Sequence, residues 1–186
     1  MSISCQVSHL GKITDLHIKV FADASLGTLD QNLECKSVMG SFVVLSNDDS
    51  DINPLNWKSK VIDKVATDTK TAETLALEQA IDDAVYLAKM IKEIYSGNTD
   101  EEPIPILVYE DSKSLVQSLY STKKVKRKTM RVVVSSLQQQ MKSGIIKDIF
   151  HVRTQDQLAD VFTKKGVKCQ TIIDAVSKGK IEEIDC

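Results

Sequence analysis

No apolar run in this sequence approaches the roughly 18 residues of a membrane-spanning helix, and residues 1 to 15 lack the charged-then-apolar order of a secretory signal. The expectation is a soluble intracellular chain, cytoplasmic and with no membrane partner. Cysteine is scarce as well. Cys5, Cys35, Cys169 and Cys186 are widely spaced, show no metal-ligand spacing and stand beside no activating histidine. This argues against a disulfide framework, a zinc site and a thiol nucleophile, and predicts reduced thiols. An excess of positive charge is also missing: at a net charge of −2, any contact with nucleic acid must be a local patch. There is no internal repeat and no low-complexity linker. The 186 residues, 42% hydrophobic and 27% charged, suit one ordinary globular domain.

What is present begins with Leu16 to Ser25. Leu16, Ile18 and Val20 alternate with His17, Lys19 and Phe21, a period of two that predicts a β-strand running into Asp23 and a group of small residues. After a turn-like stretch at Leu26 to Gln31, the β-branched and aromatic residues around Gly40-Ser-Phe-Val-Val predict a second strand within Leu33 to Ser46. The cluster Asn47-Asp-Asp-Ser-Asp-Ile-Asn-Pro reads as a turn. A third strand is expected at Leu55 to Lys60, with Trp57 half-buried on the sheet. Short connections suggest an antiparallel meander.

From Lys70 to Tyr95 there is no Gly or Pro, and Glu73, Leu77, Ala80, Ala84, Ala88, Ile91 and Tyr95 fall on one stripe. This predicts a long helix with Glu73 at the head of its buried row and small residues letting it lie close to a sheet. Ser96-Gly-Asn ends it, and Thr99 to Pro103 forms an acidic loop. Ile104 to Glu110 is apolar on both faces until its last residue, the pattern of a central strand, and delivers Asp111 at its carboxyl end. A short helix over Ser112 to Tyr120 follows, then six cations in nine positions, Lys123, Lys124, Lys126, Arg127, Lys128 and Arg131, leading into a helix that ends at Lys142. Ile145 to Val152 is a fifth strand. Thr154 and Gln157 read as a capping box opening a helix through about Lys164, with Asp160 turned away from its apolar face. The tail after Gly166 has room for one more helix.

Each acid alone is ordinary, and Asp160 suits a wet cleft and an open surface equally well. Four segments change their weight. Phe21-Ala-Asp-Ala-Ser, Thr71-Ala-Glu-Thr-Leu-Ala-Leu, Tyr109-Glu-Asp-Ser-Lys-Ser-Leu and Gln157-Leu-Ala-Asp-Val-Phe-Thr-Lys resemble, in order and spacing, the ribonuclease H domains of retroelement reverse transcriptases. The last segment and Trp57-Lys-Ser-Lys look most like the copia-type branch. The resemblance spans about Leu16 to Lys165. It implies an α/β fold of ribonuclease H type: a five-stranded mixed sheet, three strands antiparallel and then parallel strands, flanked by helices. It divides the chain into a lead-in at 1–15, a ribonuclease H-like domain at 16–165 and a tail at 166–186.

By the same resemblance, Asp23, Glu73, Asp111 and Asp160 are the catalytic, metal-binding acids of an endonuclease that hydrolyses the RNA strand of an RNA/DNA hybrid with two Mg²⁺ ions, for which Mn²⁺ can substitute. It assigns Asp23 to both ions, Glu73 and Asp111 to one, and Asp160 to the other. Carboxylates about 4 Å apart repel by roughly 4 kcal/mol per pair at an effective dielectric of ~20, so such a cluster needs cations or protons, and hard oxygens select Mg²⁺ or Mn²⁺. The six cations are candidates for phosphate contact, against the plainer reading of a solvated face. Ser25, Ser112 and the backbone near Gly40 are candidates for reading 2′-hydroxyls. His151 is the auxiliary candidate, either for a family histidine that helps product leave or as a strand residue at the cleft rim. The implied partners are the hybrid and a polymerase domain in the same polyprotein, placing the protein in the cytoplasm, in virus-like particles or in the nucleus. Two other readings remain open: a catalytically silent or domesticated nucleic-acid-binding module of the same fold, and a nuclease acting on DNA.

Overall fold

The structure, a computed structural model, describes residues 10–27, 36–97, 103–123, 125, 127–164, 166 and 169–181. Among these, five strands form one sheet: β1 (His17–Ser25), β2 (Val38–Ser46), β3 (Ile52–Val61), β4 (Ile106–Glu110) and β5 (Ile146–His151), in the spatial order β3-β2-β1-β4-β5. β1, β2 and β3 pair antiparallel, and β1, β4 and β5 pair parallel. The mixed sheet is therefore the one expected.

The connection from β3 to β4 is the long helix α1 (Thr69–Ser96), and the connection from β4 to β5 is α2 (Lys113–Tyr120) and α3 (Lys128–Lys142). α1 starts where Asp68 accepts a hydrogen bond from the Thr71 amide at 2.8 Å, and ends where Gly97 takes the left-handed conformation at φ 66°. Ala80, Ala84 and Ala88 are fully buried, so the helix backbone approaches Ile18, Val20 and Ala22 of β1 closely. The opposite face of the sheet carries Phe21, Phe42 and Tyr109, with the Phe21 and Tyr109 rings stacked at 4.8 Å. The chain after β5 covers this face. Ala175 of α4 (Gln170–Lys178) packs into the aromatic cluster, and Ile52 donates to the Gly179 carbonyl at 2.8 Å.

Three local expectations are corrected. The third strand begins at Ile52 within the expected turn cluster and includes Pro54; an edge strand tolerates the missing N–H, and the ladder shifts register between Val43 and Val44. Trp57 is 62% exposed rather than half-buried, because the tail docks at the Ile52 end of this edge strand. The expected helix from Thr154 to Lys164 is instead two 3₁₀ segments, Thr154–Asp156 and Leu158–Phe162. Gln157 lies between them with φ −77° and ψ 100°, outside the helical region, because its side-chain amide donates to Ala22 O at 3.0 Å and Tyr109 O at 3.1 Å. The capping box gives way to this pair of buried tertiary bonds. Parts of the expected turn at 26–31 and of the acidic loop at 99–103 lie outside the described residues, as do Cys5, Cys35 and Cys186, while Cys169 is exposed and in no disulfide among the described residues. Among the described residues, no helix is long and apolar enough to cross a membrane.

Candidate metal centre

Parallel pairing sets Phe21 of β1 beside Tyr109 of β4, and two residues beyond each of these stand Asp23 and Asp111. Both acids are thus carried to the carboxyl end of the β1/β4 pair, where ligand sites of open α/β sheets gather. Asp23 faces the side of the sheet covered by the 158–162 segment. There Thr163 donates to Asp23 Oδ2 from its hydroxyl, and Asp160 accepts from Lys164 Nζ at 2.6 Å. Gly40, the partner of Asp23 in the ladder, makes this approach possible. A Cβ on Gly40 would lie 2.8 Å from Ala159 O, Phe162 Cβ and Thr163 Cγ2. The backbone face at Gly40 is therefore covered by protein.

On the other side of the sheet, Glu73 sits in the second turn of α1 and accepts from the Ala24 amide at 3.1 Å. Beside it lies Glu110, the last residue of β4, whose alternation with Val108 and Ile106 turns it toward α1. Glu110 is fully buried. One of its oxygens accepts from the Ser112 amide at 3.0 Å, and Oε2 has no hydrogen-bond partner.

The five acids form two groups. Asp23, Asp111 and Asp160 each offer an oxygen within 4.8 Å of the others, and Glu73, Glu110 and Asp111 do the same. All four acids expected from the sequence are brought together. Asp111 is the residue common to both groups, whereas the resemblance assigned the shared position to Asp23. Glu110 was missed as a site residue; its signal was an acid closing an otherwise apolar strand. Thr163, Lys164 and Gln157, which hold the acids in place, also went unassigned, because only the folded arrangement sets them there.

The electrostatics follow from crowding away from water. Burial pushes the Asp23 carboxyl up to about 6, with the Asp160 and Asp111 charges adding to the rise against the Thr163 hydrogen bond and the Lys164 charge. Burial, then Asp23 and Asp111, push Glu73 up to about 8. Glu110 is held well above the ordinary carboxylate range by burial and then by Glu73. For Lys164, burial is outweighed by its bond to Asp160 and the charges of Asp23, Asp160 and Asp111, which hold it in the charged form. A centre that takes up protons and a lysine to balance itself is one that a divalent cation would stabilise. The donor set fits Mg²⁺ or Mn²⁺: every ligand atom in both groups is a carboxylate oxygen, with no thiolate or imidazole among them.

The remaining candidates are placed around this centre. His151 ends β5 with Nε2 3.1 Å from the Asp111 carbonyl oxygen, an exposed ring at the rim. Arg127 reaches Asp68 at 2.6 Å and Thr71 at 3.0 Å, fastening the basic segment to the first turn of α1, one turn before Glu73. Arg131 Nε donates to Val125 O at 3.0 Å, and Lys123 and Lys128 are exposed. Lys124 and Lys126 lie outside the described residues.

Among solved structures, the chain is similar to a compost-derived ribonuclease H1, LC11-RNase H1, in complex with RNA/DNA hybrid, with a TM-score of 0.51 and 18% identity, covering 78% of this chain and 92% of that one. Ribonuclease H1 of the halophilic archaeon Halobacterium salinarum matches at a TM-score of 0.53 and 16% identity, over 78% of this chain and 93% of that one. The foamy viral protease-reverse transcriptase in complex with double-stranded DNA matches at 0.53 and 19%, over 83% of this chain and 96% of that one. The fold is that of ribonuclease H. At these identities the likeness concerns the ribonuclease H fold alone, and a comparison with known protein families finds no match.

Proposed function

We propose that this chain is a metal-dependent endonuclease that hydrolyses the RNA strand of RNA/DNA hybrids. The observation that carries the reading is the meeting of Asp23, Glu73, Asp111 and Asp160, from four separate segments, at one end of the β1/β4 pair. Four buried or half-buried acids beside one another have no structural benefit of their own, since each raises the cost of ionising the next. Divalent ions held by Asp23, Asp111 and Asp160 and by Glu73 and Asp111 would supply an activated water and stabilise the departing 3′ oxygen of a phosphodiester. The chain's own part is to fix the ligands. Thr163 orients Asp23, the Ala24 amide orients Glu73, and Gln157 ties the segment carrying Asp160 to β1 and β4. Lys123 and Lys128, exposed on the segment that Arg127 fastens to α1, would contact phosphates, and His151, exposed at the rim, would help product leave.

The retroelement setting rests on the Leu158-Ala-Asp-Val-Phe-Thr-Lys segment and on the resemblance it carries. In that setting the domain would act beside a polymerase in one polyprotein, in the cytoplasm, in a virus-like particle or in the nucleus.

The test is a labelled hybrid incubated with the protein and Mg²⁺ or Mn²⁺. Cleavage of the RNA strand is expected, with loss of cleavage on chelation and in Asp111→Asn. Intact RNA after long incubation with both ions would overturn the proposal; hybrid bound without turnover would point to a binding module, and cleavage confined to duplex DNA to a different nuclease.

A further inference from the structure

Glu110 has no place in the four-acid arrangement, yet it is the most deeply buried acid of the centre. A carboxylate with an unpartnered oxygen in the interior is costly unless something cationic or a proton meets it. Oε1 is satisfied by the Ser112 amide, whereas Oε2 is buried and has no partner among the described residues; a carboxylate oxygen of Glu110 lies within 4.8 Å of oxygens of Glu73 and Asp111. Val152 N donates to the Glu110 carbonyl at 3.0 Å, so the β4/β5 ladder fixes the backbone from which the side chain reaches inward.

We propose that Glu110 is a fifth carboxylate ligand, completing with Glu73 and Asp111 a buried cation site that fills before the more open Asp23/Asp111/Asp160 site. The inference rests on the reading of the acidic centre as a metal site. Three carboxylates, two of them buried, present a concentrated negative charge with little competing water. The second group includes two half-buried acids, and Lys164 already neutralises part of it. The two sites therefore differ in affinity, and the tighter one is loaded without nucleic acid. A four-acid centre lacking a carboxylate at position 110 would have no such bias.

Mn²⁺ binding to the full chain without nucleic acid, followed by electron paramagnetic resonance, reads this directly. The wild type is expected to show one tighter and one weaker ion. Glu110→Gln, which keeps shape and the Ser112 contact, should weaken the tighter ion by about 10- to 100-fold or more, and Asp160→Asn should weaken only the other. A Glu110→Gln isotherm that superimposes on the wild type would overturn the inference. Anomalous scattering from Mn²⁺-soaked wild-type crystals decides the matter even if the variant fails to fold. An ion at about 2.1 Å from Glu110 Oε2 supports the assignment, and an ion on Glu73 and Asp111 with Glu110 out of reach refutes it. A wild type that binds no ion would overturn both this inference and the proposed nuclease, whereas hybrid cleavage with Glu110 uninvolved would remove this inference alone.

Discussion

Gly40 and Phe162 touch where β2 meets the 158–162 segment: a Cβ on Gly40 would lie 2.8 Å from Phe162 Cβ, and as close to the Ala159 carbonyl oxygen. Since Gly40 is also the ladder partner of Asp23, this one contact sets how near Asp160 can come to the other acids. Two of the three atoms are Phe162 Cβ and backbone oxygen, which cannot swing aside as the end of a flexible side chain would.

Gly40→Ala should therefore push the 158–162 segment outward and separate Asp160 from Asp23. The expected result is overpacking that costs about 1–3 kcal/mol in urea denaturation, with hybrid cleavage falling about 100-fold for a ligand displaced by about 1 Å. Unchanged cleavage with unchanged stability would show that the contact is not limiting.

Gln157 is the second determinant of that segment. Gln157→Leu removes both donors to Ala22 O and Tyr109 O and leaves two buried carbonyls without these partners. About 1–3 kcal/mol of destabilisation is expected from the two lost bonds, measured by denaturant midpoint, and cleavage should fall more steeply than stability because Asp160 loses its tether.

Acid should destabilise the protein through His17. Burial, and then the charge of Lys19, lower its pKa to about 4 from an ordinary 6.5, with Asp48 pulling the other way and Lys147 adding to the fall. The folded state thus favours neutral imidazole. Its contribution is fully present above about pH 6.5 and is lost as the pH falls toward 4, by at most about 3 kcal/mol. Asp23, Glu73 and Glu110, whose carboxyls are held up in the folded state, contribute with the opposite sign over the same window, so the histidine is read from the difference between two thermal melt series: the stability of the wild type relative to His17→Gln should fall as the pH drops from 6.5 to 4, and equal slopes would count against it.

The cations should separate by role. Lys123→Ala and Lys128→Ala should each lower hybrid affinity and reduce the salt dependence of binding by about one phosphate contact. Arg127→Ala should instead loosen the first turn of α1, where Asp68 caps the helix, at about 0.5–1 kcal/mol of stability. Fluorescence anisotropy over a salt series, paired with denaturation, distinguishes the two; an Arg127→Ala variant with a reduced salt slope and intact stability would reverse this assignment.

Much of this could be read in advance because it is local. Asp23 closes a period-two strand, Asp111 follows a strand apolar on both faces, and Glu73 heads a stripe of helical spacing, so backbone geometry alone carries each to an end or a buried face. Asp160 could not be placed this way: its position depends on Gln157, whose amide bonds to carbonyls 135 and 48 residues away. The same two bonds explain why a convincing Thr154–Gln157 capping pattern produced 3₁₀ segments. Trp57 misled for a related reason, since an aromatic in a strand says nothing about whether its strand lies at the edge.

The order of the five strands and the long helix and the mixed sheet followed from the chain's own periodicities, because hydrophobic alternation and helical spacing are properties of neighbours in sequence, while the four acids were singled out as candidates by the resemblance of the segments that carry them. Which oxygens face one another, that Asp111 belongs to both groups and that Glu110 turns inward with Oε2 unpartnered were decided only by tertiary structure. Those relations depend on distances between segments brought together by packing, and no local pattern encodes them.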